Sequence, residues 1–508
     1  MPGSTWYAAS EAPFCYDAGL GPRNVQPPEV MMSMPLAPVL DRLDRDFESA
    51  VERLCTLLAI PSVSTDPAYA GDIRKAAGWL KGELNSMGFD AEIRETDHQP
   101  IVIAHHAPPG GEDLPHILYY GHYDVQPPDP VDRWDTAPFE PTIVDGPHGR
   151  RVVARGAVDD KGQLATFLEA FRAWHETHGA LPVRVTVLLE GEEETGSPSL
   201  DAFLSANKDE LSADVCVVSD TNMWDIDTPA ITYMLRGLVY VEVTLHGPGH
   251  DLHSGMYGGA VINPINALAR ILGELKDERG VVQIPGFYDD VEERSDEELA
   301  QWARLQFDEA AFLAHAGVRT PVGEAGRTTL ERIWSRPTCD VNGIWGGYTG
   351  SGAKTVIPAR ASAKLSCRLV PGQDPQKVYD GIVKFMNERT PPDGRWEISQ
   401  PHGGSPAVRV PTTSPFLEAT MRGLDATFGR KPVLMGCGGS IPVVGSVQRI
   451  LGFDSLLVGF GLEDDRVHSP NEKFELQCFQ MGMKSHAAIL SEFAAMSASR
   501  VGVARACS

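Results

Sequence analysis

Residues 183–197 read VRVTVLLEGEEETGS, an apolar run that ends directly in a cluster of acids. The same arrangement occurs twice more, because the run at 116–120 ends in GHYD (121–124) and the run at 215–219 ends in DTN (220–222). Short apolar runs bounded by turn residues are typical of buried strands. Ligand sites in open α/β sheets gather at the carboxyl ends of the strands, so we expect these three polar clusters to converge.

Helical patterns lie between the strand-like runs. From Asp44 onward, Phe47, Val51, Leu54 and Leu58 recur on one helical face. Further helices are predicted from residue 72 and near 162–175, and another strand at 101–104. Alternation of strands and helices indicates an α/β fold with a mostly parallel sheet and helices on both faces.

The pattern changes after about residue 228. Residues 230–246 alternate apolar and polar side chains and predict one half-exposed antiparallel strand, followed by a helix at 263–275. The charged stretch 289–308 looks like an insertion, 364–370 is strand-like, and helices are predicted at 415–428 and 478–496. We predict a loose N-terminal tail (1–33), a catalytic metal-binding domain (34–230 and 405–508) and an inserted α+β lid/dimerisation domain (231–404).

Composition excludes several classes of function for this 508-residue chain. Its formal net charge of −25 argues against nucleic acid or an anionic membrane as a partner, since both attract basic surfaces. A run of about 18 apolar residues is absent from the sequence, so no membrane span is predicted. None of the eight cysteines forms a Cys-x-x-Cys pair, which argues against a zinc knuckle or a disulfide framework and fits a cytoplasmic protein.

Five separate segments each place a side chain of the metal-ligand type at a strand end or in a turn: His122, Asp159, Glu194, Asp220 and His468. Imidazole and carboxylate ligands suit Zn²⁺, with Mn²⁺ or Co²⁺ as alternatives. Two histidines and three carboxylates are enough for two metal ions if one carboxylate bridges them. Paired ions about 3.5–4 Å apart can bridge a hydroxide and hold a carbonyl oxygen. The sequence therefore predicts two divalent metal ions per chain.

Each of these segments also has an ordinary explanation. Asp159 and Asp160 could simply favour the dipole at a helix N-terminus, and the acids at 192–194 could be a solvated charge run. Asp220 could be a turn residue and His468 a surface histidine. Three adjacent acids at the end of a buried strand, however, repel one another unless cations compensate their charge. The separate explanations do not account for all five ligands in this order.

Longer motifs point to a family. They are DLHSGMYGG (251–259), SGAKTVIP (351–358), LSCRLVP (365–371) and GGSIPV (438–443). With these motifs the chain resembles the dinuclear-zinc metallopeptidase family of carnosinase, glutamate carboxypeptidase, succinyl-diaminopimelate desuccinylase and aminoacylase. The likeness to carnosinase-type cytosolic dipeptidases extends from about residue 45 to about 495. It implies a zinc exopeptidase-like catalytic domain with an inserted lid.

The resemblance also implies a ligand set. Asp159 would bridge the two metal ions. His122 and Asp220 would complete one site, and Glu194 and His468 the other.

Two further catalytic roles follow from the resemblance. Asp124 would accept a hydrogen bond from His122 and fix its tautomer. Glu193 would be the general base, taking a proton from the bridging water and returning it to the leaving amine. The peptide bond between Asp159 and Asp160 would be cis.

The second domain would then be a lid that also pairs subunits into a homodimer. His253 would reach the active site of the neighbouring subunit and stabilise the oxyanion. Arg368 would hold the terminal carboxylate of the substrate, a task suited to a guanidinium group. Other positions match residues that line the substrate pocket: Thr349, His402, Gly439 and Ser440.

One position departs from the family pattern. Carnosinase-type enzymes tend to have an acid just before GGSIPV, where it meets the free amine of the substrate, and here that residue is Cys437. Glu192, or another nearby acid, is an alternative holder of the amine.

The predicted function is metal-dependent hydrolysis of the amide bond of dipeptides or similar small substrates with a free C-terminal carboxylate, by a metal-bridged hydroxide with a glutamate base. The alternatives are an N-acyl amino acid deacylase on the same scaffold and an inactive dimerisation module. Retention of Glu193 and of every expected ligand argues against the inactive module.

Overall fold

The computed structural model describes residues 34–400 and 404–496, so the predicted tail at 1–33 and His402 lie outside the described residues. The described residues form fourteen α-helices: α1 Ala37–Arg45, α2 Phe47–Leu58, α3 Ala70–Ser86, α4 Lys161–His178, α5 Leu200–Ala206, α6 Ser254–Tyr257, α7 Pro264–Gly273, α8 Asp296–Ala303, α9 Glu309–His315, α10 Thr329–Trp334, α11 Pro375–Glu388, α12 Pro415–Phe428, α13 Pro442–Ser446 and α14 Leu476–Ala494. Among the described residues, no helix has the length and apolar character required to cross a bilayer.

The strands, in chain order, are β1 Asp90–Arg94, β2 Ile101–His106, β3 His116–His122, β4 Thr142–Gly146, β5 Gly149–Val153, β6 Arg184–Glu190, β7 Val215–Val218, β8 Ala230–Leu235, β9 Gly237–His246, β10 Leu252–His253, β11 Thr338–Gly346, β12 Val356–Ile357, β13 Arg360–Leu369, β14 Arg395–Ser399, β15 Gly404–Ser405, β16 Val408–Arg409, β17 Val433–Cys437, β18 Ser455–Leu457 and β19 Lys473–Glu475. The predicted strands at 101–104, 116–120, 183–189 and 215–219 correspond to β2, β3, β6 and β7.

A nine-stranded sheet forms the larger core, with the order β1-β2-β6-β3-β7-β18-β8-β16 and with β17 also paired to β8. The four central strands β6, β3, β7 and β18 run parallel, whereas β1, β2, β8 and β16 each pair antiparallel with a neighbour. The sheet is therefore mixed, and its parallel part is the centre. This centre is the part that the alternation of strands and helices predicted.

Helices cover both faces of this sheet, as two neighbouring tyrosines of β3 show. The ring of Tyr119 lies 4.9 Å from that of Phe171 in α4 and 5.6 Å from that of His486 in α14. Tyr120 belongs to a separate buried cluster that includes Leu200 of α5 and Val443 of α13. Since successive side chains of a strand point to opposite faces, α4 and α14 cover one face and α5 and α13 the other.

The single strand predicted over 230–246 was wrong. The chain instead forms β8 in the large sheet and β9 in a five-stranded antiparallel sheet, with a break at Arg236. Every residue of β8 is buried, whereas the residues of β9 alternate between buried and half-buried. Only β9 has the half-exposed environment that the alternating pattern indicated, because the side chains of β8 pack into two buried clusters against other elements.

The second sheet has the order β11-β13-β9-β14, with β15 also paired to β9. Its buried face packs on α7 and α11 through a cluster that includes Val241, Leu268 and Ile382. The chain leaves the large sheet at Arg236 and re-enters it at β16, so the second sheet occupies 237–405. The predicted boundaries of the lid/dimerisation domain, 231 and 404, lie close to these limits, but they stay a prediction.

The segment predicted as an insertion contains α8, and α9 and α10 follow it. Trp302 and Trp334 from these helices form a buried cluster with Tyr233 and Met234 of β8, and Met435 of β17 packs against it. The insertion therefore covers the end of the large sheet at which β17 lies.

Candidate metal centre

Three adjacent parallel strands end at one edge of the large sheet, as expected. His122 is the last residue of β3, Glu193 follows the end of β6 by three residues, and Asp220 follows the end of β7 by two. Asp159 lies just before α4, so its carboxylate comes from a helix start rather than a strand end. The peptide bond between Asp159 and Asp160 is cis.

The predicted ligands form two groups that share Asp159. In the first group, His122 Nε2 lies 3.2 Å from Asp159 Oδ1 and 4.0 Å from Asp220 Oδ2. In the second, His468 Nε2 lies 2.9 Å from Asp159 Oδ2 and 3.2 Å from Glu194 Oε2. The structure thus brings together all five residues that the sequence singled out, in the two sets implied by the resemblance.

Their chemistry fits divalent cations. His122 Nε2 and Glu194 Oε1 are buried and have no hydrogen-bond partner among the described residues. A buried polar atom without a partner is costly, and a metal ion would satisfy both atoms. Imidazole nitrogens and carboxylate oxygens are the donors that Zn²⁺, Mn²⁺ and Co²⁺ accept.

The electrostatics of the cluster point the same way. Burial raises the pKa of Glu193 well above its ordinary value, and the carboxylates of Asp220 and Glu194 add to this effect against the opposing charge of His122. Hydrogen bonds to Asp159 and Glu194 raise the pKa of His468 to about 10. The carboxylates therefore attract positive charge strongly, and a bound cation would supply it.

Asp124 contacts two parts of the cluster. His122 Nδ1 lies 3.3 Å from Asp124 Oδ1 and 3.1 Å from the Asp124 main-chain oxygen. Two acceptors facing Nδ1 favour the tautomer that leaves Nε2 free for a metal. The backbone N–H groups of Glu193 and Glu194 also donate to the two carboxylate oxygens of Asp124, at 3.2 and 3.1 Å. Asp124 therefore fixes His122, a predicted ligand, and the loop that carries the predicted base.

The three acids that follow β6 differ in their contacts. Both carboxylate oxygens of Glu192 accept backbone N–H groups, from Gln99 at 3.0 Å and from Ser199 at 2.6 Å. Glu193 and Glu194, in contrast, line a cavity of about 570 Å³ together with His468. Glu192 is thus engaged in the structure of the loop and does not line this cavity, and its role as a holder of the substrate amine stays a prediction.

Several predicted substrate residues meet next to this cavity. The Arg368 guanidinium donates to Ser440 Oγ at 3.3 Å, and Ser440 lines the cavity. Gly439 accepts a hydrogen bond from the backbone N–H of Arg236 at 3.1 Å, and its own N–H donates to Cys437 Sγ at 3.4 Å. These contacts place four residues close together beside the cavity: Arg368, Cys437, Gly439 and Ser440.

Two predicted residues lie elsewhere. His253 and Thr349 are exposed and, within the described chain, line neither this cavity nor the metal cluster. Gly255 donates its N–H to His253 Nδ1 at 3.0 Å, which leaves Nε2 accessible.

The comparison with known proteins decides the family. The profile of peptidase family M20/M25/M40 matches residues 118–492, most of the chain. The chain belongs to this family. The predicted fold class and the predicted family are both confirmed by this match and by the solved structures that resemble the chain.

Curated members of the M20 family resemble this chain over nearly its whole length. The Cys-Gly metallodipeptidase DUG1 of Candida albicans is 32% identical, over 89% of this chain and 96% of the relative. The human Beta-Ala-His dipeptidase is also 32% identical, over 90% and 93% of the two chains. The solved structure of the dipeptidase Dug1p from Saccharomyces cerevisiae superposes with a TM-score of 0.79 at 29% identity, over 92% of this chain and all of that one.

Sequence reasoning missed Glu472, which supports the ligand loop of this M20 protein. The fully buried Glu472 carboxylate accepts N–H groups from Gly156, Val158 and Asp159, at 3.0, 2.9 and 3.1 Å. It also pairs with the Arg155 guanidinium at 2.7 Å. These contacts hold the backbone of Asp159, the predicted shared ligand. In the sequence Glu472 is only an acid four residues after His468. Such a position does not distinguish a buried acid from a solvated one.

Arg236 was also missed. Its Nε donates to the main-chain oxygen of Gly438 at 3.0 Å, and burial together with Arg368 lowers the pKa of Arg236 to about 10. Neither guanidinium has an ion pair with a described carboxylate. The signal in the sequence was a single charge inside the apolar run 230–241.

Replacing Asp124 by asparagine should reduce metal affinity or turnover by about 10–100-fold. Asparagine offers one oxygen where aspartate offers two, so the contact to Glu193 or Glu194 is lost along with part of the support for His122. Metal titration and steady-state kinetics would measure the loss. The exposed Asp132→Asn in the following loop is the matched control. Unchanged metal affinity and turnover in Asp124→Asn would contradict this role.

Proposed function

We propose that this M20 protein is a metal-dependent dipeptidase that hydrolyses the amide bond of dipeptides with a free C-terminal carboxylate. The observation that carries the proposal is one cavity whose lining includes Glu193, Glu194 and His468 as well as Arg236 and Ser440. Acid–base groups and a cationic group thus line the same cavity. The relatives named for dipeptide hydrolysis support the same activity.

The proposed centre holds two divalent metal ions, with Zn²⁺ favoured and Mn²⁺ or Co²⁺ as alternatives. His122, Asp159 and Asp220 would hold one ion, and Asp159, Glu194 and His468 the other. The chemistry that such ions supply is the activation of water and the polarisation of a carbonyl oxygen.

Glu193 is the proposed general base. Its raised pKa suits an acid that takes a proton from water and later returns it to the leaving amine. The Asp124 carboxylate holds the backbone N–H of Glu193, so the base has a fixed origin at the edge of the cavity. The Glu193 carboxylate has no hydrogen bond to a described residue, so it is free to accept a proton.

Arg368 is proposed to bind the substrate carboxylate, with the Ser440 hydroxyl and Gly439 beside it. A guanidinium without an acidic partner is well suited to this task, and Arg236 adds a second positive charge nearby. Thr349 and His402 are proposed as further substrate contacts on the strength of the resemblance alone.

A second candidate function is deacylation of N-acyl amino acids. Cys437 favours it, because burial raises the pKa of this thiol and leaves it uncharged where the family pattern has an acid. Glu192 is a weaker candidate for that acid, since both its oxygens accept backbone N–H groups and it does not line the cavity. The deacylase shares every other feature of the site with the dipeptidase.

The test is a hydrolysis screen of dipeptides, their C-terminal amides and N-acetylated amino acids, run separately with Zn²⁺ and Mn²⁺. We expect free dipeptides to be cleaved and their amides to be rejected, because the amide leaves Arg368 unpaired. Preferred cleavage of N-acyl amino acids would establish the deacylase instead. Failure to cleave any substrate with a free carboxylate would overturn both candidates.

The active unit is proposed to be a homodimer formed through the second sheet. Strand β11 is an edge strand of that sheet and exposes apolar side chains at Val341, Ile344 and Trp345. Exposed apolar edge strands favour association, and Met256, three residues after His253, is 76% exposed. Pairing at this edge is proposed to bring His253 to the active site of a neighbouring subunit. Within the described residues of its own chain, His253 lines neither the metal cluster nor the 570 Å³ cavity.

The change His253→Ala should preserve folding, dimerisation and metal content but reduce turnover by at least about 10²-fold, the effect of removing one oxyanion donor. Kinetics on the purified variant, with the exposed His250→Ala as matched control, would measure this.

Subunit mixing then tests the geometry. A hybrid of His253→Ala and Glu193→Gln chains has one site with both changes and one with neither, so activity should return after exchange. Demonstrated exchange without any return of activity would contradict a role for His253 across the interface.

A cytoplasmic location is also proposed. The six cysteines among the described residues are all free thiols, including Cys339 and Cys367, which face each other across β11 and β13. Unpaired facing cysteines fit a reducing compartment.

A further inference from the structure

The two ligand groups of the proposed centre differ in the elements that carry them. His122 ends β3 and Asp220 follows β7 by two residues, so the first group is attached to neighbouring parallel strands. Glu194 and His468, which belong only to the second group, lie in a short 3₁₀ turn and in the loop between β18 and β19. Loops are more mobile than strands inside a sheet, so the second group needs additional contacts to keep its geometry.

The backbone of the His468 loop also needs such contacts. Arg466, His468 and Asn471 have positive φ values of 59°, 58° and 63°. A left-handed backbone is unfavourable for residues other than glycine and persists only where the surroundings hold it. At the end of the loop, Asn471 Oδ1 accepts the N–H of Asp135 at 2.7 Å, and the next residue is the buried Glu472.

The two carboxylate oxygens of Glu472 have different partners. Oε1 accepts the N–H groups of Val158 and Asp159, at 2.9 and 3.1 Å, and so holds the backbone of the predicted shared ligand. Oε2 accepts the N–H of Gly156 at 3.0 Å and pairs with the Arg155 guanidinium at 2.7 Å. The side chains of Arg155 and Glu472 are 1% and 0% exposed, so solvent does not screen this ion pair.

Arg155 connects the pair to a third segment, the loop after β3. Its Nη2 donates to the main-chain oxygen of Pro127 at 3.2 Å, and its guanidinium lies 5.4 Å from the ring centre of Trp134. Directly before Pro127, the side-chain amide of Gln126 donates to Glu194 Oε2 at 2.8 Å. The ion pair thus joins the loop that carries one ligand of the second group to the loop that positions the other.

We propose that Arg155 and Glu472 are positioning residues for the second metal site, so that breaking their ion pair weakens the binding of that ion while the first ion stays bound. The inference rests on the two-ion centre of the proposed function. No hydrogen bond or ion pair joins Arg155 or Glu472 to His122 or Asp220 within the described parts of the chain. The pair therefore acts on the second group and on the backbone of the shared Asp159.

The variant Glu472→Gln breaks the ion pair and keeps the other contacts. Its amide oxygen can still accept the N–H groups of Val158 and Asp159, whereas its amide nitrogen cannot accept from Arg155. Loss of such support weakens metal affinity by about 10–100-fold. At a free Zn²⁺ or Mn²⁺ concentration just sufficient to fill both sites of the unaltered protein, equilibrium dialysis should find about one ion per variant chain. Raising free metal by about 100-fold should restore the second ion, which a misfolded site would not regain.

Combination with two ligand variants identifies the ion that is lost. Asp220→Asn is expected to keep only the second ion, and Glu194→Gln only the first. At the same free metal concentration, adding Glu472→Gln should empty the Asp220→Asn protein and leave the single ion of the Glu194→Gln protein in place. The reverse pattern, or equal loss in both proteins, would overturn the assignment to the second site.

An ion pair in another part of the protein provides the control for stability. Glu169 is 7% exposed and pairs with Arg53 at 2.7 Å, so Glu169→Gln makes the same chemical change away from the ligands. Both variants should lower the melting temperature of the metal-free protein, but only Glu472→Gln should lose an ion. If Glu472→Gln does not fold, Gln126→Ala removes the contact to Glu194 at the other end of the connection and should lose the same ion. Retention of both ions in Gln126→Ala would then contradict the proposal.

The outcomes separate this inference from the function on which it rests. Metal content is measured without a substrate, so the result does not depend on which amide bond the protein cleaves. An unaltered protein that binds no divalent metal would overturn the proposed centre itself. If the unaltered protein binds two ions and folded Glu472→Gln binds both with unchanged affinity, only the positioning role fails.

Discussion

The Glu193→Gln variant should retain its metal ions and lose about 10²–10⁴-fold in kcat. Glutamine keeps the size of glutamate but cannot take a proton from water. The backbone N–H of residue 193 would still donate to Asp124, so the loop keeps its position. Burial and the nearby carboxylates of Asp220 and Glu194 raise the pKa of Glu193. Steady-state kinetics together with elemental analysis would measure the two effects separately.

The neighbouring Glu194→Gln is the matched comparison, because it makes the same chemical change one residue away. Glu194 Oε2 lies 3.2 Å from His468 Nε2 and accepts a hydrogen bond from Gln126 at 2.8 Å, so this carboxylate belongs to the second ligand group. We expect the Glu194 variant to lose metal from one site. Equal metal loss in both variants would show that the roles of base and ligand were assigned wrongly.

The residues of the candidate centre could be predicted because their positions follow from local rules. His122 and Asp220 come directly after apolar runs, and the ends of neighbouring parallel strands meet at one edge of a sheet. Glu194 could be predicted because it is one of three adjacent acids at the end of a buried strand. Their negative charges repel one another unless bound cations compensate them. The helices α12 and α14 were also predicted close to their observed bounds, since their apolar stripes are long and regular.

Features that depend on contacts between distant segments could not be predicted. The break at Arg236 places β8 and β9 in different sheets, and an alternating pattern cannot reveal which sheet a strand joins. Glu472 supports a loop more than 300 residues earlier in the chain. A cavity of about 540 Å³ combines α9 and α10 with the end of β17, so only the folded chain brings its walls together.

Removing divalent metal from the protein should abolish hydrolysis, and restoring Zn²⁺ or Mn²⁺ should recover it. The cluster contains several carboxylates within a few ångströms, while His122 Nε2 and Glu194 Oε1 lack hydrogen-bond partners among described residues. Cations that bind only the folded state also stabilise it, so the melting temperature should fall on metal removal and rise again with added metal. Elemental analysis of protein kept free of chelator should find two divalent ions per chain.

Asp220→Asn should distinguish two sites from one. Asp220 belongs only to the first ligand group, whereas Asp159 is shared, so the variant should keep about one ion per chain. The matched control is Asp225→Asn in the same loop, since Asp225 is exposed and its contacts are turn hydrogen bonds to Asp227 and Thr228. This control should keep two ions and full activity. A fully active preparation without metal would overturn the metallopeptidase mechanism for this chain, and loss of both ions in Asp220→Asn would show that the two groups do not bind independently.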